Sequence, residues 1–287
     1  MALEMPAELV ARATLLAQGG QWDPPAALDA TTIVLLRDGV AGLEVLLMRR
    51  PDSMSFAPGM HVFPGGRVDL EQDSRPPVLG SVQVGQGSDP SLARALIVAG
   101  VRETFEEAGV LLALDRSGRP AVPDSDWARD RAASESAAGF PAVIARRRLH
   151  IQADRLVPIA HWVTPEIETR RFDTRFMAAA LPAGQGVDAH ETETDSAHWL
   201  APSDALAQYD TGRLAMLPPT VAVLSGLSAH RSVGDALSSA RTRHVVPVMP
   251  RARMSGADLE WVLVHAYTGE VLSATGQPAG SEERGVR

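Results

Sequence analysis

The sequence predicts an α/β fold. Segments rich in β-forming residues alternate with segments of helical character along most of the 287 residues, the pattern expected when strands are covered by helices. Two such runs, 31–37 and 43–50, flank Asp38-Gly39, a hairpin signal. One long helix declares both of its ends. Asp89-Pro90-Ser91 offers a capping carboxylate followed by proline, and Gly109 suits the left-handed residue that closes a helix.

Taken in order, residues 1–29 read as an N-terminal extension, a short helix over 7–16 and a Gly/Pro-bearing linker. After the hairpin, 51–66 is rich in Gly and Pro and ends in Phe63-Pro64-Gly65-Gly66. Residues 69–90 are polar, carry Gly, Pro and Ser, and read as a surface loop. The long helix runs from Pro90 through Glu107, with Leu92, Leu96, Ala99 and Phe105 on its apolar side. A strand is expected at 110–114, helices at 125–138 and 141–150, and strands at 156–163, 171–180 and 195–200. A helix from Ser203, a helical pair at 218–230 and 232–240, and a hairpin from 245–248 and 259–266 complete the reading. The tail after Ser273 is expected to be loose. Residues 30–215 then form the central domain, with an insertion at about 70–90, and 216–287 a C-terminal helical and hairpin extension.

Composition narrows the function. Net charge is -8, the opposite of a general nucleic-acid coat, so DNA is not an expected partner. With no cysteine, zinc-thiolate sites, disulfides and cysteine nucleophiles are excluded. No run of 18 apolar residues occurs, so no membrane span is expected, and a cytoplasmic location is the default reading. There is no lysine, so any cationic clamp must use Arg or His. No G-x-S-x-G elbow or Walker A loop is present.

The segment that carries chemistry is Arg102-Glu103-Thr104-Phe105-Glu106-Glu107-Ala108-Gly109. On a helix, the spacing of Glu103, Glu106 and Glu107 puts three carboxylates within roughly a 100° arc. Their mutual repulsion, and their place in the last turns where the helix dipole is negative, call for compensation. A hard divalent cation, Mg²⁺ or Mn²⁺, supplies it well.

With Gly65-Gly66 upstream, this segment resembles the Nudix box, G-x5-E-x7-R-E-U-x-E-E-x-G-U. The resemblance implies a mixed β-sheet sandwiched between helices, with N- and C-terminal extensions. It implies hydrolysis of a diphosphate linked to another moiety. It implies metal binding by Glu103, Glu106, Glu107 and the Gly65/Gly66 backbone, and an orienting ion pair by Arg102. Two departures stand out. Gly66 to Arg102 spans 36 positions where the motif has 14, and the first box Glu, mainly an anchor in the family, is not in register: Gln72 lies six after Gly66 and Arg94 eight before Arg102. Thr104 stands where the box has an apolar residue.

Further segments resemble the coenzyme A diphosphatases of this superfamily. Leu46-Leu47-Met48-Arg49-Arg50, Gly59 and Phe63-Pro64-Gly65-Gly66 keep that spacing, although Ser55 replaces an Arg. The stretch 56–66, Trp162-Val163-Thr164-Pro165 and Arg171-Phe172-Asp173-Thr174 resemble the peroxisomal branch, which also has a long insertion in the box. The chain ends in Arg284-Gly285-Val286-Arg287, without a peroxisomal address of the S-K-L type. Glu193, six residues before Trp199, is by this resemblance a further metal ligand or the base on the attacking water. Arg50, His61, Phe63, Gly66 and Arg171 are candidate substrate contacts. Trp162 and Phe172 read as core, and Arg146-Arg147-Arg148 as a solvated face. The expected substrate is a nucleotide-like diphosphate, with coenzyme A or an acyl-CoA leading over NADH, an ADP-sugar or a capped RNA end. A non-catalytic ligand sensor is the alternative outside enzymes, and a homodimer is a possible assembly.

Overall fold

The computed structural model describes residues 6–54, 57–85, 88–136, 139–188, 196–256 and 258–272. The chain begins with α1 (Ala7–Ala17), then β1 (Leu28–Gly39) and β2 (Gly42–Arg49). These two strands form the predicted hairpin, with Gly39 opposite Gly42. Next come β3 (His61–Val62), β4 (Gly65–Arg67), the single turn α2 (Leu70–Asp73), β5 (Val78–Leu79) and the long α3 (Pro90–Ala108). After these follow α4 (Trp127–Ser134), α5 (Gly139–Arg147), β6 (Ile151–Gln152), β7 (Val157–Val163), β8 (Phe172–Ala180) and β9 (Ser196–Leu200). The last elements are α6 (Pro202–Asp210), α7 (Pro218–Leu227), α8 (Val233–Thr242), β10 (Pro247–Ser255) and β11 (Asp258–His265).

The main sheet is mixed and runs β11-β10-β7-β8-β1-β2-β3, with β4 also on β1 and β9 also on β2. Strand β1 explains why its sequence is continuously apolar rather than alternating. Ile33 and Leu35 face a core under α3 and α5, whereas Val34 and Leu36 face a second core under α6, α7 and α8. All four are fully buried, each contributing about 1.5–3 kcal/mol. A strand covered on both faces reads this way. The resulting architecture is a mixed sheet between two helical layers.

Two expectations are corrected. The segment 110–114 is not a strand. Leu111 bonds instead to the side-chain amide of buried Gln185, whose oxygen accepts from Leu111 N at 2.8 Å and whose nitrogen donates to Leu111 O at 3.0 Å. A side chain thus stands in for a neighbouring strand. The segment 69–90 is more than a surface loop, since α2 and β5 lie within it and β5 pairs in parallel with β6. The helices α7 and α8 close the second core, and β10 joins β7 in the main sheet. The first helix, α1, packs Ala13 against Ile167 and Ala252. The tail after 272 lies outside the described residues. Among the described residues no helix is long and apolar enough to cross a membrane.

Candidate active site

The site is built where α3 crosses β1 and β4. Helix α3 starts as its sequence predicts: the Asp89 carboxylate accepts from Ser91 N and Leu92 N, and Pro90 opens the first turn. It ends at Gly109 with φ +68°. Strand β4 lies antiparallel to β1, with Gly65 opposite Thr32 and Gly66 opposite Thr31. Gly65 is required by close approach to backbone, and Gly66 leaves room for the end of the Glu103 side chain. A Cβ on Gly65 would lie 2.4 Å from the Thr31 carbonyl oxygen, and one on Gly66 would lie 2.4 Å from the Glu103 carboxylate.

Arg102 is the hub. Its side chain is 7% exposed. Nε and Nη2 donate to the Asp73 carboxylate at 2.9 and 3.2 Å, and Nη2 also donates to the Arg67 carbonyl at 3.0 Å. Nη1 donates to Glu103 at 2.7 Å and to Glu106 at 3.1 Å. Burial opposes its charge, yet Asp73, Glu103 and Glu106 outweigh that effect and hold its pKa above the ordinary value. Glu107 turns the other way, accepting the Gly65 N–H at 2.9 Å. Burial pushes the Glu106 carboxyl up to about 7, with Arg102 pulling it down and Glu103 adding to the rise.

The compensation that three crowded carboxylates require is therefore partly built into the protein. Arg102 serves two of them. Arg131 on α4 serves the helix end, donating to the carbonyls of Glu106 and Glu107 at 2.9 Å each and to that of Asp188 at 2.5 Å. A buried cation on these carbonyls counters the negative end of the α3 dipole. Trp127 adds a bond from its indole N–H to Gly109 O at 2.9 Å. Thr104, in its apolar box position, is fully buried and returns its hydroxyl to Gly100 O at 2.7 Å.

In this arrangement the glutamates do not converge on one point, and among the described residues no three acids or histidines form a closed cation cage. In kind, the donor set fits a hard divalent ion. It consists of carboxylate oxygens on one helical face, beside strand β4, whose Gly66 gives Glu103 room.

A family model, that of the NUDT19 Nudix domain, matches residues 72–227, more than half of the chain. The chain belongs to the Nudix family. In structure it is similar to a Nudix hydrolase from Alicyclobacillus acidocaldarius, with 31% identity, a TM-score of 0.65, and coverage of 74% of this chain and 96% of that one. Among curated proteins it is similar to the acyl-coenzyme A diphosphatase NUDT19 of Xenopus laevis, 26% identical over 67% of this chain and 61% of that protein. It is also similar to the human protein of that name, 27% identical over 68% of this chain and 63% of that one. The chain thus spans about three fifths of the length of these relatives.

The Nudix box residues Glu103, Glu106, Glu107, Arg102, Gly65 and Gly66 come together around the β4–α3 junction. Glu193 lies outside the described residues. His61 is buried on β3, and burial chiefly pushes its pKa down. The Arg50 backbone N–H donates to Met60 O at 3.0 Å, and its side chain is half-buried. Two candidates are placed away from a ligand role. Phe63 is packed in the second core, and Arg171 directs its guanidinium to the carbonyls of Thr164 and Pro25 at 3.1 and 2.9 Å. The physical reason is the same for both: each ties neighbouring segments to the sheet.

Sequence reading missed Asp73 and Arg131. Asp73 had a signal, for it lies one position past Gln72, the register of the missing anchor counted from Gly66. Arg131 had none, because its partners are backbone carbonyls 24 and 25 residues away.

Proposed function

We propose that this Nudix chain is a metal-dependent diphosphohydrolase. Its substrate would be a nucleoside diphosphate linked to another moiety, with coenzyme A or an acyl-CoA the leading candidate. The observation that supports this best is the Arg102 hub, which gathers Glu103 and Glu106 beside Gly65 and Gly66 while Gly65 N–H holds Glu107. Glu103, Glu106 and Glu107 are the residues that would hold Mg²⁺ or Mn²⁺. Bound there, such an ion would stabilise charge on the diphosphate oxygens and acidify a bound water.

The chain's own residues do the positioning. Asp73 fixes Arg102, and Arg102 fixes two carboxylates. Gly66 lets Glu103 lie against the backbone. One of the three helix glutamates or Glu193 would take the proton of the attacking water. Arg50 is the candidate phosphate contact, since a guanidinium suits bidentate oxyanion binding. The similarity to proteins named acyl-coenzyme A diphosphatase supports the choice of substrate.

The test is hydrolysis of coenzyme A, acyl-CoA, NADH, ADP-ribose and nucleoside triphosphates with Mg²⁺ or Mn²⁺, using Glu106→Gln as control. Mutant-sensitive cleavage of coenzyme A or its acyl ester is expected. Cleavage of another diphosphate alone would discard the coenzyme A assignment, and near-normal turnover by Glu106→Gln would discard the assignment of the helix.

A further inference from the structure

A second cavity lies at the other end of α3. It encloses about 640 Å³ between the insertion, the first turn of α3, β7 and the connector from α8 to β10. That volume falls in the range of small-molecule sites. Ala93 lines it and Glu103 lies ten residues further along the helix, so it sits about 15 Å from the glutamates. Its chemistry is two-sided. Val82, Val84, Ala93 and Val245 give an apolar wall, and Arg94, Arg243 and His244 supply the ionisable groups. No carboxylate is among the lining residues. This is contrary to the balance of a chain with 35 acids against 27 bases. The nearby Asp89 carboxylate is turned onto the α3 amides. Among the described residues, no carboxylate forms an ion pair with Arg94 or Arg243, and both are exposed.

The floor adds an independent observation. Ser88 lines the cavity and its hydroxyl accepts from Arg175 Nη2 at 3.0 Å. Beneath Gly85, another lining residue, lies His161, which is 1% exposed. Its Nδ1 has no hydrogen-bond partner and is 3.8 Å from where a Cβ on Gly85 would stand. Its other nitrogen, Nε2, faces Asp173 at 2.5 Å. His161 does not itself line the cavity; with its proton on Nε2, which faces Asp173 and lies 3.4 Å from the Tyr267 hydroxyl, Nδ1 is an acceptor beside Gly85.

We propose that this cavity binds an amphiphilic anion, an apolar chain on the valine wall with a carboxylate or phosphate head at Arg94 and Arg243. Guanidinium groups favour both heads through charge-assisted hydrogen bonds. The site does not depend on the hydrolase reading.

Calorimetric titration of the full chain with decanoate, decyl phosphate, acetate and decanol tests it without any turnover. At least one of the two chain-bearing anions should bind, and tighter than both acetate and decanol. The preferred anion names the head group. Arg94→Ser and Arg243→Ser should each weaken that binding about fivefold, the scale of an exposed ion pair. Both side chains are exposed, so an unchanged melting temperature keeps the comparison interpretable. Binding of neither chain-bearing anion overturns the proposal. So does acetate or decanol binding as tightly, or a double variant that binds like the unaltered protein.

Discussion

Asp73→Ala is the most informative single change, because it removes a residue that the Nudix motif does not name. Asp73 is fully buried, and it holds Arg102 through two nitrogens at 2.9 and 3.2 Å while accepting Asp69 N–H at 2.8 Å. Removing one partner of a buried pair typically costs 3–5 kcal/mol, chiefly by leaving a charge uncompensated. Here Arg102 keeps Glu103, Glu106 and the Arg67 carbonyl, so the low end applies, about 3 kcal/mol. For a chain of this size that is a fall of roughly 6–9 °C in melting temperature. Asp73→Asn keeps the volume and one acceptor and should lose about half as much. The assay is thermal unfolding without added metal, followed by circular dichroism. Hydrolysis measured well below the transition should also drop, because Arg102 is then held only by the two glutamates and the Arg67 carbonyl. A loss below about 1 kcal/mol in Asp73→Ala would refute the view that Asp73 anchors the hub.

Four other outcomes follow from the same geometry. Glu106→Gln should remove most activity while leaving the unfolding transition in place, checked by turnover and circular dichroism on one preparation. Arg131→Ala should destabilise the chain by about 2 kcal/mol, since it strips charged donors from three carbonyls, with Arg131→Lys recovering part of it. The same variant should bind Mn²⁺ more weakly by calorimetry, and unchanged Mn²⁺ affinity would confine Arg131 to a structural role. His161 provides a pH signature. Burial lowers its pKa, so the folded state binds fewer protons than the unfolded chain. Its contribution is complete above about pH 6.5 and is lost as pH falls through the folded value. Stability should therefore decline more steeply from about pH 7 to 5 in the unaltered protein than in His161→Gln, and parallel curves would refute the assignment. Asp173 acts with the same sign, but below that window, because its pKa is lowered from 3.8.

The legibility of the chain divides along the range of its interactions. The hairpin at Gly39 and Gly42, the capped start of α3 at Asp89 and its stop at Gly109 were all readable because each is decided by neighbours within a few residues. The glutamate trio was readable because helical spacing alone places the carboxylates together. What balances them was not. Arg131 reaches α3 from a separate helix, and Gln185 replaces a strand for Leu111 across 74 residues. Nothing local in the sequence encodes either. The expected strand at 110–114 failed for the same reason, since β-propensity reports a half-buried surface rather than a particular partner.

The insertion is the instructive case. By composition 69–90 is a polar loop, and a long loop costs little to close. Its two ends nevertheless hold the site from opposite directions. At one end, Asp69 caps the single turn α2, whose last residue is the buried carboxylate on Arg102. At the other, Ser88 takes a bond from Arg175, which is 1% exposed in the sheet, and Asp89 starts the glutamate helix. In this chain the restraint on Arg102 comes from Asp73, one position past Gln72. The extra residues are then free to fold outward over the first turn of α3. On this argument the tolerance of the box for so long an interruption rests on Asp73. Shortening the segment between Val78 and Ser88 should be milder for the glutamate hub than the single substitution Asp73→Ala, with unfolding and turnover of the two variants as the direct comparison.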